Sequence, residues 1–176
     1  MIREVEGKKT LQVLSLEDSP LDAELLREYL LEHEMYTWDI TSVDQERPFL
    51  EALNQRTYDV ILADYMIPGY GGFQALKAAK AICPMTPFIC VSGSIGEDMA
   101  VELLKQGATD YVLKDKMARL IYSIEGALAR VEEERRLKEY QEAIRASEAT
   151  HKAMIANIQD VIAILNQDGS IRYISP

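Results

Sequence analysis

Five times between Leu11 and Lys114, an apolar run of strand length gives way to a segment with helical spacing. The runs are "LQVLSL" (11–16), "YTWDITSV" (36–43), "DVILA" (59–63), "PFICVS" (87–92) and "DYVLK" (110–114). Helical patterns fill 19–34, 46–56, 72–82 and 96–106. Such alternation predicts an α/β fold, a parallel sheet with helices on both faces. Right-handed crossovers restrict the winding, and 2-1-3-4-5 is the common order for five such units. Local signals agree. Ser19 is placed to cap the first helix, with Pro20 at its first position and acids in its first turn. Leu21, Leu25, Leu26, Tyr29 and Leu30 supply an apolar face. Pro84 stops the helix at 72–82, and Gly107 is a good terminator for the one at 96–106.

From about Asp115 the alternation ends. A helix is predicted to run from there to about Asn157. Ile121, Ile124, Leu128 and Val131 form a heptad-like seam. That phase fails at "EEERR" (132–136), and Leu137, Tyr140, Ile144 and Ser147 resume it with a shift. Gly126 weakens the helix by roughly 1 kcal/mol relative to Ala. The expectation is a two-part helix: a first part packed partly on the sheet, then a coiled-coil linker over 131–153. The alternative is a solvated helix held by i,i+4 ion pairs. Beyond it, "VIAILNQDGSIRYIS" (161–175) reads as two strands turning at Asp168-Gly169. Two strands alone are not a stable domain, so residues 154–176 are expected to open a second module.

Composition narrows the functional classes. Of 176 residues 48% are apolar, so a packed core is expected. No apolar run approaches the ~20 residues of a membrane span, and "MIREVEGKKT" is not an apolar export segment. A cytoplasmic, membrane-free setting is expected. Net charge is −10, and residues 1–116 hold 20 acidic against 11 basic side chains. Direct nucleic-acid binding needs a basic face; this segment suits a cation instead. Cys83 and Cys90 have no metal-ligand spacing and are expected as thiols. His33 and His151 fall on helices without ligand-like neighbours and read as surface or packing residues.

Chemistry-bearing residues gather at strand ends. Glu17 and Asp18 follow the first strand, Asp64 the third; Ser92 closes the fourth and Lys114 the fifth. In an open parallel sheet, ligands bind beyond the carboxyl ends of the strands at the switch in strand order. Three converging carboxylates repel one another unless one is protonated or a cation joins them. Oxygen donors without His or Cys favour a hard ion such as Mg²⁺. Beside such an ion Asp64 can serve as nucleophile and become an acyl phosphate. Lys114 and Ser92 would hold two other phosphoryl oxygens.

With "LEDSP", "DYMIPGYGG" (Asp64, Pro68, Gly72), "VSGS" and "DYVLKD" in this order, residues 11–130 resemble a response-regulator receiver domain, following an N-terminal tail at 1–10. The resemblance implies a flavodoxin-like doubly wound sheet. It implies phosphoryl transfer to Asp64 from a phosphohistidine on a histidine kinase or phosphotransfer protein. Mg²⁺ would be held by Glu17, Asp18, Asp64 and the Met66 backbone carbonyl. Ser92 would swing toward the phosphoryl group and Tyr111 would rotate inward, switching the face of the fourth helix, fifth strand and fifth helix. That face, or the C-terminal helix, would form a homodimer. Such a module promotes its own phosphorylation and dephosphorylation without being a turnover enzyme; a longer parent could be a histidine kinase or a nucleotide cyclase. Glu17 departs from the more common Asp, lengthening one arm of the metal site. The tail 154–176 resembles the opening of a PAS sensor domain.

Each residue alone has a plainer reading. Glu17-Asp18 could lead into a helix, Asp64 could cap a turn, Lys114 could be a surface lysine and Tyr111 a core ring. Their joint placement at strand ends is what singles them out. Two other functions compete. An aspartyl-phosphate hydrolase would want an acid two residues after its nucleophile, where Met66 stands. A non-phosphorylated dimerisation scaffold would not need the full residue set.

Overall fold

The computed structural model describes residues 4–5, 8–93, 96–156 and 163–174. Ser94 of "VSGS", the expected helix end at Asn157, and the ends of the tail at 157–162 and 175–176 lie outside them.

The elements in chain order are β1 (Glu4–Val5), β2 (Lys8–Leu16), α1 (Pro20–Glu32), β3 (Tyr36–Val43), α2 (Glu46–Gln55), β4 (Val60–Asp64), α3 (Gly72–Ile82), β5 (Phe88–Ser92), α4 (Glu97–Lys105) and β6 (Asp110–Leu113). A 3₁₀ turn at Lys114–Lys116 leads into α5 (Ala118–Ala156), and β7 (Ala163–Leu165) and β8 (Ile171–Ile174) follow. Five parallel strands run in the order β3-β2-β4-β5-β6, which is the expected 2-1-3-4-5 winding. Two compact units divide the chain, Met1–Val131 and Glu132–Pro176.

Strand pleating sorts the core of the first unit into two layers. Successive side chains point to opposite faces of a sheet. Leu14, Leu16, Ile61, Ala63, Phe88 and Cys90 therefore pack with Phe49, Leu53, Leu76 and Leu103 of α2, α3 and α4. Leu11, Val13, Val60, Leu62, Ile89 and Val91 pack with Leu26 and Leu30 of α1 and Leu120, Ile121 and Ile124 of α5. Asp64 shares the parity of Val60 and Leu62, so the pleat that buries those residues aims its carboxylate to the α1–α5 side.

Three expectations are corrected. The first strand starts at Lys8 rather than Leu11, and Glu4–Val5 adds an antiparallel pair beside it where a tail was expected. Backbone pairing of Lys9 with Tyr36 and Thr10 with Thr37 carries the strand beyond its apolar run, because a lysine in a strand can still extend its stem to water. On α1, Leu26 and Leu30 are buried while Leu21 and Leu25 are 69% and 54% exposed. Five apolar positions outnumber what one helix stripe can press on a sheet. Ile121 and Ile124 are buried against their own sheet, so they are withdrawn from any seam with a second chain. α5 itself is one continuous helix of 39 residues.

In the second unit β7 and β8 form an antiparallel hairpin. Gly169 takes φ 85°, a left-handed conformation suited to glycine, and Asp168 accepts from the Ser170 backbone and hydroxyl. The turn falls at the Asp168-Gly169 pair marked by the sequence. Ile164, Leu165, Ile171 and Ile174 are all exposed.

Candidate functional site: an acidic crevice around one lysine

The crevice opens where β2 and β4 leave the sheet. β4 is buried to its last residue, and Asp64 is 8% exposed. The loop after it is shaped by its glycines. Gly69 takes φ 76°. At Gly72 a Cβ would meet the Tyr65 Cα at 3.0 Å and its ring at 3.1 Å. That close approach lets the Gly72 N–H donate to the Tyr65 carbonyl at 3.0 Å, bringing the start of α3 back beside the end of β4. Gly72→Ala is therefore expected to shift this loop and destabilise the fold by about 1–3 kcal/mol, with a matching loss of Asp64 reactivity. Urea unfolding with a labelling assay measures both, and an unchanged midpoint contradicts it.

Asp64 uses both oxygens. Its Oδ1 accepts from the Met66 N–H at 3.1 Å, and its Oδ2 accepts from Lys114 Nζ at 2.7 Å. Glu17 is buried; its N–H donates to the Val43 carbonyl at 3.0 Å. Its Oε1 accepts from the Ser19 N–H at 3.1 Å and its Oε2 from Lys114 Nζ at 2.7 Å. Asp18, the exposed member, completes a set whose carboxylate oxygens lie within 4.8 Å of one another. Glu17, Asp18, Asp64 and Lys114, drawn from three separate strand ends, thus meet in one place.

Lys114 follows β6 at the first position of the 3₁₀ turn. Its ammonium donates to three carboxylates, the third being Asp22 Oδ2 at 2.6 Å. Asp22 has no place in the strand-end pattern, and the sequence marks it only as a first-turn acid of α1. Its sole signal is its position one helical turn beyond Asp18. Beside this cluster runs a groove of about 290 Å³ lined by Leu25, Leu26, Tyr29, Val91 and Met117.

The electrostatics follow from partial burial. Burial raises the Glu17 carboxyl above its ordinary value; the hydrogen bonds from Lys114 and the Ser19 N–H oppose this, and the Asp64 charge adds to it. Burial also works against the Lys114 ammonium, but the bonds to Asp22, Asp64 and Glu17 outweigh it and hold its pKa above the usual lysine value. Cys90 lies behind the crevice, where burial and then the Asp64 charge push its thiol up to about 12. It is a core group and no nucleophile at neutral pH.

The remaining predicted residues frame the crevice. Ser92 ends β5, is buried, and follows Val91, the register partner of Asp64. Met66 is 66% exposed, so its side chain lies out in solvent, two residues past Asp64. Tyr111 is half-buried on β6, with the Arg119 guanidinium 5.6 Å from its ring centre. Arg119 in turn pairs with Asp110 at 2.9 Å, and Asp110 accepts from the Ser123 hydroxyl at 2.7 Å. That clamp on Tyr111 was not legible in the sequence.

The donor set fits a hard divalent cation. It offers only carboxylate oxygens, within one ion's reach, at a site where a single ammonium, Lys114, faces the carboxylates of Glu17, Asp22 and Asp64.

A doubly wound sheet with an acid–lysine crevice at its switch point defines a class of phosphoryl-accepting signalling modules. The chain belongs to the response regulator receiver domain family, whose model matches residues 13–125. The DNA-binding transcriptional regulator NtrC of Escherichia coli K12 is 37% identical over 102 residues, 58% of this chain and 20% of its own length. The luminescence regulatory protein LuxO of Vibrio campbellii is 34% identical over 99 residues, 56% of this chain and 21% of LuxO. The match thus spans about a fifth of these curated relatives. Among solved structures, the signal receiver domain of a Luxo repressor protein from Vibrio parahaemolyticus superposes with a TM-score of 0.65 at 27% identity. It covers 73% of this chain and 97% of that one. A receiver domain of a signal transduction histidine kinase from Syntrophus aciditrophicus gives 0.59 at 25% identity, covering 69% and 92%. Among the described residues no helix is long and apolar enough to cross a membrane.

Proposed function

We propose that this chain is the phosphoacceptor of a two-component relay, taking a phosphoryl group onto Asp64 from a phosphohistidine of a histidine kinase or phosphotransfer protein. The observation that carries it is the Lys114 ammonium held against Glu17 and Asp64 at 2.7 Å each, on the rim of a three-carboxylate cluster. Glu17, Asp18, Asp64 and the Met66 backbone carbonyl would hold Mg²⁺, which supplies charge neutralisation for the incoming phosphate. The Asp64 carboxylate attacks phosphorus, an O–P bond forms, and the P–N bond to the imidazole breaks. The imidazole nitrogen leaves with the bonding pair. Lys114 orients a phosphoryl oxygen and Ser92 closes on another. The test is the mass of the chain after exposure to acetyl phosphate with Mg²⁺: one added phosphoryl group is expected, and none when the metal is chelated beforehand.

Output is proposed to travel through α5 to a PAS-like module that includes the β7–β8 hairpin, in a cytoplasmic protein. The exposed apolar side chains of the hairpin support this, since they call for a covering layer. Dimerisation falls to the second stripe of α5, where Leu137, Tyr140 and Ile144 are 52%, 61% and 59% exposed at a/d spacing. A charge in this stripe, Ile144→Asp, is expected to shift the chain from dimer to monomer in sedimentation equilibrium. A wild-type monomer at all concentrations would overturn that part. The hydrolase alternative gains nothing, because Met66 occupies the place of its second acid.

A further inference from the structure

We infer that Asp22 is a positioning residue for Lys114: it keeps the ammonium in the crevice when a divalent cation occupies the acidic cluster. This rests on the phosphoacceptor reading above. Lys114 has three N–H donors, and all three are engaged, by Glu17, Asp64 and Asp22. Glu17 and Asp64 also belong to the set of oxygens that converge for a cation, whereas Asp22 does not. A cation bound there draws on the lone pairs that face Lys114 and repels its charge. Asp22 is then the partner left to it.

The local structure at Asp22 points the same way. Ser19 caps α1, accepting from the Asp22 N–H at 3.3 Å, so Asp22 stands at the third helical position. An acid there ordinarily reaches back to the backbone N–H of the capping residue. Here that N–H is already taken, since Ser19 N–H donates to Glu17 Oε1 at 3.1 Å. The Asp22 carboxylate is thereby released from helix capping and turned to Lys114 at 2.6 Å. Glu17 thus does two jobs: it lines the cation cluster and it frees Asp22. The Asp22 side chain is also the most solvent-exposed of the three partners, 36% against 6% for the Glu17 side chain and 9% for that of Asp64. Lys114 can lean toward it without leaving the groove bordered by Val91 and Met117. From that mooring the ammonium remains close enough to meet a phosphoryl oxygen on Asp64. Without it, the lysine either competes with the cation or swings into water.

The test uses the full chain with ¹⁵N-labelled lysine. The Lys114 Nζ signal is identified by its loss in Lys114→Arg, and Mg²⁺ is titrated in. In the wild type and in Asp22→Glu the protected signal is expected to persist through saturation. In Asp22→Asn it is expected to vanish by exchange with water as Mg²⁺ binds. In parallel, Asp22→Asn is expected to weaken Mg²⁺ binding about five- to tenfold through loss of a nearby charge. It should also slow phosphoryl uptake from acetyl phosphate at saturating Mg²⁺, with recovery in Asp22→Glu. In a Lys114→Gln background the Asp22→Asn change should alter uptake less than about twofold, because the two residues act as a unit. A Lys114 signal that survives Mg²⁺ saturation in Asp22→Asn overturns the proposal, and so do equal losses of uptake in both backgrounds. If the wild type takes up no phosphoryl group, the phosphoacceptor reading fails, while the lysine signal still decides whether Asp22 moors Lys114.

Discussion

Asp64→Asn is expected to leave the chain folded and wholly unable to take up a phosphoryl group. The amide is the same size as the carboxylate, and its oxygen can still accept from the Met66 N–H or from Lys114. Neither contact requires a negative charge. The chemistry does, because a neutral amide oxygen is a poor nucleophile and cannot form the acyl phosphate. Stability should hold or rise slightly. Asp64 is one of the charges that raise the Glu17 carboxyl, so removing it relieves repulsion in a partly buried cluster. Intact-mass measurement after acetyl phosphate and Mg²⁺ decides it: one phosphoryl group on the wild type, none on the variant. Equal labelling of the two would move the acceptor elsewhere and end the assignment.

Lys114→Met is expected to make stability dependent on metal. The ammonium balances Glu17, Asp22 and Asp64 at 2.7, 2.6 and 2.7 Å. Removing one partner of a fully buried ion pair costs about 3–5 kcal/mol, chiefly by leaving the other charge uncompensated. Asp22 is partly open to solvent, which screens its share, so a loss of about 1–3 kcal/mol without metal is expected. A divalent cation binds the native carboxylates and not the unfolded chain, and stabilises by mass action. Added Mg²⁺ should therefore restore most of the deficit in the variant and raise the wild type less, since there the cation must share the carboxylates with an ammonium. Denaturant titrations with EDTA or Mg²⁺ measure this. The same gain in both proteins would mean that lysine and cation do not compete.

The pH dependence has a definite sign. The folded state holds the Lys114 pKa above its ordinary value of 10.5. Its contribution is therefore fully present below that value and is lost as pH rises through the higher folded one. The wild-type advantage over Lys114→Met should be level through neutral pH and shrink only in strong alkali.

What could be read without coordinates was whatever repeats locally or sits at a predictable end. Apolar runs alternating with helical spacing specified the doubly wound sheet, because few arrangements bury both patterns. Glu17, Asp18, Asp64 and Lys114 could be nominated together, since each ends a strand and strand ends of such a sheet converge. The hairpin turn at Gly169 needed only its dipeptide.

Periodicity, however, says that a face is apolar and not what covers it. Ile121 and Ile124 looked like half of an intermolecular seam until the fold laid them on their own sheet, while Leu21 and Leu25 looked buried and stand in solvent. Asp22 shows the same limit for polar groups. Its position in α1 suggested only a helix-start acid, and its use is set by a lysine 92 residues away and by Glu17 having already taken the Ser19 N–H. The sequence alone thus determined the layers and the list of strand-end groups. Tertiary structure decided which neighbour each side chain met, because hydrogen bonds and burial depend on proximity in space, which local pattern does not encode.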